Sequence, residues 1–304
     1  MDINDFYNKV VQICNKEIVL RDEPMRIHTL TKIGGKADLF VLPESYEQMV
    51  DIIKLIHAYQ LPFMLLGNGS NVIVRDGGIR GLVVHMRNLS DLFVKGEQLV
   101  AQGGADIKQA SQLALKYELS GLEFACGIPG SIGGAMVMNA GAYGGEVKDV
   151  IDHVKVVNHE GEFLKLSKDE LELDYRSSII GKKKMIVLEA VFNLEPGVGK
   201  QIKGKMDDFT YQRESKQPLE YPSVGSVFKR PPGYFAGKLI QDSGLQGKGV
   251  GGAEVSTKHA GFIVNKNEAT ATDYIETINL VRDTVKEKFG VELELEAKIV
   301  GEDS

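Results

Sequence analysis

A chain of 304 residues with 43% hydrophobic and 26% charged residues has the composition of a globular protein, and it exceeds what one core of ordinary size fills, so two or three subdomains are expected. Lys and Arg number 36 against 42 Asp and Glu, with no basic block beyond Lys182–Lys184, which argues against a nucleic-acid partner; no apolar run is long enough to cross a bilayer, which argues against a membrane one. The opening MDINDFYNKVVQIC is acidic where a secretory signal is basic, and Cys14 and Cys126 lack disulfide or metal spacing, so a cytoplasmic protein with buried free thiols and no metal site is expected.

In chain order, Ser45 and Gln48 form a capping-box pattern ahead of Met49, Ile52, Ile53 and Ile56 at helical spacing, predicting an amphipathic helix over 45–60. Pro62 and the apolar FMLL then lead into the turn GNGSN at 67–71. LVVHM, QLVAQ and KMIVLEAVF read as further strands. A second helix is predicted over Asp106–Tyr117, with Ile107, Ala110, Leu113 and Ala114 facing inward. Lys182–Lys184, between Gly181 and an apolar strand, read as a solvated turn. The polar stretch 200–216 reads as linker, and QPLEYPSVGSVFKRPPG, dense in Pro and Gly, as loop. A third helix is predicted over Thr272–Phe289, stopped by Gly290. VELELEAKIV (291–300) alternates as a strand with Val291, Leu293, Leu295, Ala297 and Ile299 on its buried face, leaving Glu292, Glu294, Glu296 and Lys298 on the other.

Glycines in GNGSN would let backbone amides approach a phosphate, but Val72 stands where the dinucleotide fingerprint wants its third glycine, so a plain tight turn is an equal reading. The second cluster, GIPGSIGGAMVMNAGAYGGE from Gly127 to Glu146, is denser in Gly and Ala. Ordering such a segment costs much backbone entropy, which a bound pyrophosphate would offset; a flexible surface crossover is the alternative, and composition does not choose between them.

Nine motifs in order, TKIGGKAD, LGNGSN, GLEFACGIPGSIGGAMVMNAGAYGGE, LDYRSSI, RESKQP, GSVFKRPPG, KLIQDSGLQG, GGAEVSTKHAGFIVN and LEAKIVG, resemble the UDP-N-acetylenolpyruvoylglucosamine reductase (UDP-N-acetylmuramate dehydrogenase) family in its shorter second class, over nearly the whole chain. The resemblance implies an α+β architecture: a vanillyl-alcohol-oxidase-type FAD-binding fold of two subdomains, 1–70 and 71–198, and a C-terminal α+β substrate domain, 199–304. It implies a peptidoglycan-precursor enzyme in which NADPH gives a hydride to FAD N5, and thence to the enolpyruvyl methylene carbon of a UDP-sugar. The FAD would lie against Gly67, Asn68, Gly69, Ser70 and Asn71, against Gly104 and Ala105, against Gly127, Ile128, Pro129, Gly130, Ser131, Gly133, Gly134 and Ala135, and against Asn139, Ala140, Gly141 and Ala142. No His or Cys stands in the first of these loops, so the flavin is expected to be non-covalent, and the protein is expected to be a monomer.

The same resemblance assigns catalysis to Arg176, Ser226 and Glu296. A guanidinium can grip the substrate carboxylate through two parallel hydrogen bonds, which suits Arg176; Ser226 matches the family's proton donor, and Glu296 the partner of Arg176 in stabilising the intermediate. Read by residue type alone, Arg176 is a surface ion-pair residue, Ser226 a turn residue and Glu296 one carboxylate of a solvated strand face. For the diphosphate and sugar the resemblance points to Tyr175, Arg213, Lys216, Arg230 and His259. Arg230 stands where some longer relatives have asparagine, Lys298 stands where relatives often carry arginine, and His259 could equally be a structural histidine. Two other readings remain: an oxygen-using oxidase with the same flavin loops, and a nucleotide-binding module without catalysis.

Overall fold

The computed structural model describes residues 3–303, and its helices and strands group into two units. The larger contains the chain up to Arg21, Leu39–Asn68 and Gly81–Gln212; the second contains Asp22–Asp38, Gly69–Arg80 and the chain from Arg213.

The larger unit is built around two large hydrophobic cores among the described residues, with a smaller cluster at Cys126. In the first, Phe6 and Val10 of helix Ile3–Ile13 pack with Met49, Ile52, Ile53 and Ile56 of helix Tyr46–Tyr59, onto Leu82 and Val84. The helical spacing read from the sequence therefore marks the buried face. Ser45 caps that helix by accepting from the Gln48 N–H at 3.2 Å, but the Gln48 side chain accepts from the Glu44 N–H at 2.8 Å, so the reciprocal bond falls one residue earlier than a capping box would put it. The strand Phe63–Leu66 runs parallel to Ile79–His85.

The second core lies under a five-stranded antiparallel sheet, ordered Phe163–Ser167, Ile151–Val157, Ile186–Asn193, Gln98–Gln102, Leu92–Lys95. Helices Ile107–Lys116 and Ile132–Met138 cover it through Ile107, Ala110, Ala114, Ile132 and Met136. Leu113, partly buried, packs against the same core as expected, and Ser111 is buried as well. Lys182–Lys184 are exposed around a turn before Ile186–Asn193, as expected. Both cysteines are free and buried.

The stretch expected as linker is instead the helix Gly199–Lys216. Ile202 and Met206, one turn apart, pack on Cys126 with Phe209 a turn further on. That stripe is too narrow to dominate a polar segment's composition, but it is enough to dock a helix.

In the second unit a four-stranded antiparallel sheet runs Ser223–Ser226, Phe262–Asn265, Ala253–Val255, Gly249–Val250, so the loop expected from its Pro and Gly content holds a short strand. Helix Ala271–Phe289 buries Tyr274, Ile278, Val281 and Val285 in this unit's core and ends at Gly290, whose φ of 67° closes it. Thr270 and Asp273 form its capping box, and Asp76 accepts from the N–H groups of Ala271 and Thr272, both at 2.8 Å.

The strand expected over 291–300 is regular only at Lys298–Val300. Leu295 bridges antiparallel to Phe228, whereas Lys298–Val300 pairs in parallel with Val72–Val74. Between the two pairings the chain bends at Glu296 and Ala297, so the alternation does not continue as one regular strand. The apolar set still points inward: Leu293 and Ala297 are buried, with Val291, Leu295 and Ile299 packed against the same core. Among the described residues no helix is long and apolar enough to cross a membrane.

Candidate functional site

In the larger unit three small-residue segments converge on Ser131. The Ile107 N–H donates to the Gly130 carbonyl at 3.0 Å, the Ile132 N–H to Ala105 at 2.8 Å and the Gly133 N–H to Gly103 at 2.7 Å, which lays Gly103–Asp106 along Gly130–Gly133. A Cβ on Gly67 would stand 2.3 Å from Ser131 Oγ, on Gly103 2.0 Å from the Val187 carbonyl and on Gly104 1.8 Å from the Met86 carbonyl. At Gly103 and Gly104, where the neighbours are backbone carbonyls, only glycine permits the approach, whereas at Gly67 the Ser131 hydroxyl would have to turn aside. Asp106 caps helix Ile107–Lys116 through the Lys108 and Gln109 N–H groups and accepts from Asn68 Nδ2 at 3.1 Å, so the carboxylate nearest these loops is already engaged. Backbone bare of side chains beside the N-termini of two helices suits a dinucleotide's phosphates. The first loop divides between units, with Gly67 and Asn68 in the larger and Gly69, Ser70 and Asn71 in the second.

Gly127, Ile128 and Gly130 are half-buried and Pro129 exposed, ahead of Ser131, whose Oγ accepts from the Gly134 N–H at 3.2 Å. Upstream, the buried Glu123 accepts from Ser120 Oγ and the Gly121 N–H, each at 2.7 Å. Burial pushes its carboxyl up, but those bonds and Lys205 at 3.7 Å outweigh burial and leave it below the usual carboxylate range. Downstream, Gly141–Ala142 and Gly145–Glu146 form a hairpin whose turn, Tyr143 and Gly144, has φ of 55° and 85°. The Tyr143 ring stacks on Phe209 at 4.5 Å. Neither Gly103 nor Glu123 is singled out by residue type, since each acts through what folding brings beside it.

Arg176 sits in the turn Asp174–Ser177, closed by hydrogen bonds of 3.1 and 3.0 Å. Its φ of 54° is left-handed, a conformation that costs a non-glycine residue about 1 kcal/mol or more unless its surroundings hold it. The half-buried guanidinium donates to the Gly141 carbonyl at 3.5 Å and lies 5.0 Å from the ring of Tyr175, itself exposed.

Ser226 and Glu296 belong to the second unit, where the chain brings them onto adjacent segments. The Glu296 N–H donates to the Val227 carbonyl at 2.9 Å, and the Lys229 N–H to Glu294 at 2.8 Å. Ser226 is exposed at the end of its strand, beyond a register shift at which Gly225 takes a φ of 78°; such a bulge re-aims the side chain after it. Glu292 and Glu294 are exposed and paired to Lys286 and Lys229, whereas Glu296 is half-buried, with Asn71 Nδ2 on its carbonyl at 3.0 Å. Structure thus separates Glu296 from neighbours that strand alternation treats alike.

Arg213, half-buried, and the exposed Lys216 end helix Gly199–Lys216, and the exposed Arg230 lays its guanidinium 4.0 Å over the Phe235 ring. Half-buried His259 accepts from the Gly261 N–H at Nδ1, 3.1 Å away, and packs edge-on against Phe262; burial draws its pKa below the usual value. Among the described residues no cluster of His, Cys, Asp and Glu is arranged to hold a metal ion.

Comparison with known proteins gives the same picture over both halves. The family model for an FAD binding domain matches residues 37–167, and that for the UDP-N-acetylenolpyruvoylglucosamine reductase C-terminal domain matches residues 217–300. The UDP-N-acetylenolpyruvoylglucosamine reductase of Geobacillus thermodenitrificans is 69% identical over 98% of each chain, and that of Staphylococcus aureus strain COL 56% identical over 98% of this chain and 97% of its own. The solved reductase of Thermus caldophilus is 32% identical and superposes with a TM-score of 0.80 over 93% of this chain and 98% of its own. A solved alkyldihydroxyacetonephosphate synthase, 19% identical, superposes with a TM-score of 0.51 over 64% of this chain and 44% of its own, a likeness of fold alone. The α+β, FAD-binding architecture expected from the motifs is the one observed.

Proposed function

Because the chain belongs to the UDP-N-acetylenolpyruvoylglucosamine reductase family, we propose that it reduces the enolpyruvyl ether of a UDP-N-acetylglucosamine to the lactyl ether of UDP-N-acetylmuramate, with NADPH as reductant and non-covalent FAD. The observation that carries this reading is end-to-end likeness: the same reductases align over 98% of this chain, binding loops and C-terminal motifs together. An oxidase sharing only the flavin loops would not also match the reductase C-terminal domain at 217–300. The division into FAD-binding subdomains 1–70 and 71–198 and a substrate domain 199–304 belongs to the same proposal; the two family matches fall on either side of its second boundary.

FAD, when bound, supplies the two-electron relay between NADPH and the sugar's double bond. The segments around Ser131, with the glycines whose Cβ positions are filled by neighbouring atoms, would hold its pyrophosphate. The chain's own side chains supply the rest. An enol ether accepts electrons only if the negative charge reaching its carboxylate is stabilised, and Arg176 grips that carboxylate with Glu296 as its partner. Ser226 then protonates the carbon bonded to the carboxylate, forming a C–H bond and breaking its own O–H bond; its exposure lets water restore the proton. Tyr175, Arg213, Lys216, Arg230 and His259 bind the diphosphate and sugar.

The test separates the two halves of the reaction. In an anaerobic stopped-flow experiment, Ser226→Ala is expected to leave bleaching of the flavin by NADPH within about twofold of the unmodified protein, while its recolouring by the UDP-sugar slows by about a hundredfold or more, the usual contribution of a general acid. Lost bleaching with intact recolouring would overturn the assignment of Ser226.

A further inference from the structure

Asn139 ends helix Ile132–Met138 in the left-handed region at φ 40°, and it is completely buried. Its side chain reaches three separate places. Nδ2 donates to Glu146 Oε2 at 2.9 Å and to the Asp174 carbonyl at 3.3 Å, and Oδ1 accepts from the Lys148 N–H at 3.0 Å. Asp174 opens the turn that carries Arg176, and Glu146 belongs to the hairpin strand facing Gly141, whose carbonyl takes the Arg176 guanidinium. On the far side of the turn, buried Ser178 donates to the Val137 carbonyl at 2.9 Å, so both flanks of Tyr175–Arg176 are tied to the end of one glycine-rich helix.

We propose that Asn139 is a positioning residue, using its amide to hold Arg176 in its left-handed conformation with the guanidinium aimed for a substrate carboxylate. Two features require such a device. Arg176 at φ 54° would relax elsewhere without surroundings that over-determine it, and the Asn139 side chain, with no exposed surface, commits both Nδ2 hydrogens and its Oδ1 to the segments around that turn. Asparagine suits the place because it tolerates the left-handed region and offers both donor and acceptor from a short side chain. The inference rests on the role of Arg176 proposed above.

The test is equilibrium binding rather than turnover. Calorimetry on the flavin-loaded protein compares UDP-N-acetylmuramate, which bears the carboxylate, with UDP-N-acetylglucosamine, which lacks it. The ratio of the two affinities is expected to exceed about tenfold in the unmodified protein and to fall to near unity in Arg176→Ala. In Asn139→Gly, which keeps φ but deletes the amide, the ratio is expected to fall by about fivefold or more, and in the double variant to fall no further than in Arg176→Ala alone, since residues acting through one another are non-additive. Asn139→Asp keeps the acceptor for Lys148, loses both donated bonds and is expected to behave as Asn139→Gly does. If Arg176→Ala leaves the ratio intact, the role of Arg176 fails and this inference with it. If Arg176→Ala abolishes the ratio while Asn139→Gly preserves it, or if both Asn139 variants are insoluble, Asn139 is merely structural and the inference alone is overturned.

Discussion

His259 shows how a residue's surroundings constrain what it can do. Its Nδ1 accepts a backbone hydrogen bond, so the neutral ring carries its proton on Nε2, and burial keeps it neutral below the ordinary pKa of about 6.5. The sign follows from linkage. As pH falls below about 6.5, the unfolded chain takes up a proton that the folded chain refuses, so this residue's contribution to stability is present above that value and declines in acid. A proton NMR titration of the six histidines is expected to place the His259 midpoint below 6.5, and a midpoint at or above it would contradict the buried, neutral assignment. In the role proposed for His259, that Nε2 proton is the one donated to a phosphate or sugar oxygen.

At the scale of an element, the glycine segments are defined by what lies behind them. Gly104 has no left-handed backbone to explain it; a Cβ there would stand 1.8 Å from the Met86 carbonyl oxygen and 2.8 Å from that of Leu89, both backbone atoms that cannot swing away. Gly104→Ala is therefore expected to lose about 1–3 kcal/mol of stability in urea unfolding, as overpacking does, even without flavin. Unchanged stability of the flavin-free variant would show that the segment yields more readily than this packing implies. Helix Gly199–Lys216 makes the converse point. Its polar composition hides it, yet two residues a turn apart dock it beside the cysteine that precedes the GIPG loop.

For the whole molecule, the proposal requires a flavin held by backbone and small side chains rather than by a covalent bond. Gly67–Asn71 offers no His or Cys to the isoalloxazine, so acid precipitation of the yellow protein is expected to leave the pellet colourless and release free FAD. Added FAD should also raise the melting temperature by mass action, and light scattering should return a mass near 33.4 kDa, that of one chain. Colour retained on the precipitate, or twice that mass, would contradict the corresponding part of the proposal.

Local chemistry decides what depends on near neighbours in the chain: the helix at 45–60 and its buried face, the stop at Gly290, the solvated Lys182–Lys184 turn and the motif order that marks the family were all legible as residues. What depends on distant segments was not. That Glu296 differs from Glu292 and Glu294, that VELELEAKIV breaks to pair with two partners, that Gly103 and Gly104 press against Val187 and Met86, and that the Asn139 amide is spent on the Arg176 turn all follow from contacts between residues far apart in sequence. Periodicity reports which way a side chain points, whereas burial and hydrogen-bond partners exist only after the chain has folded back on itself.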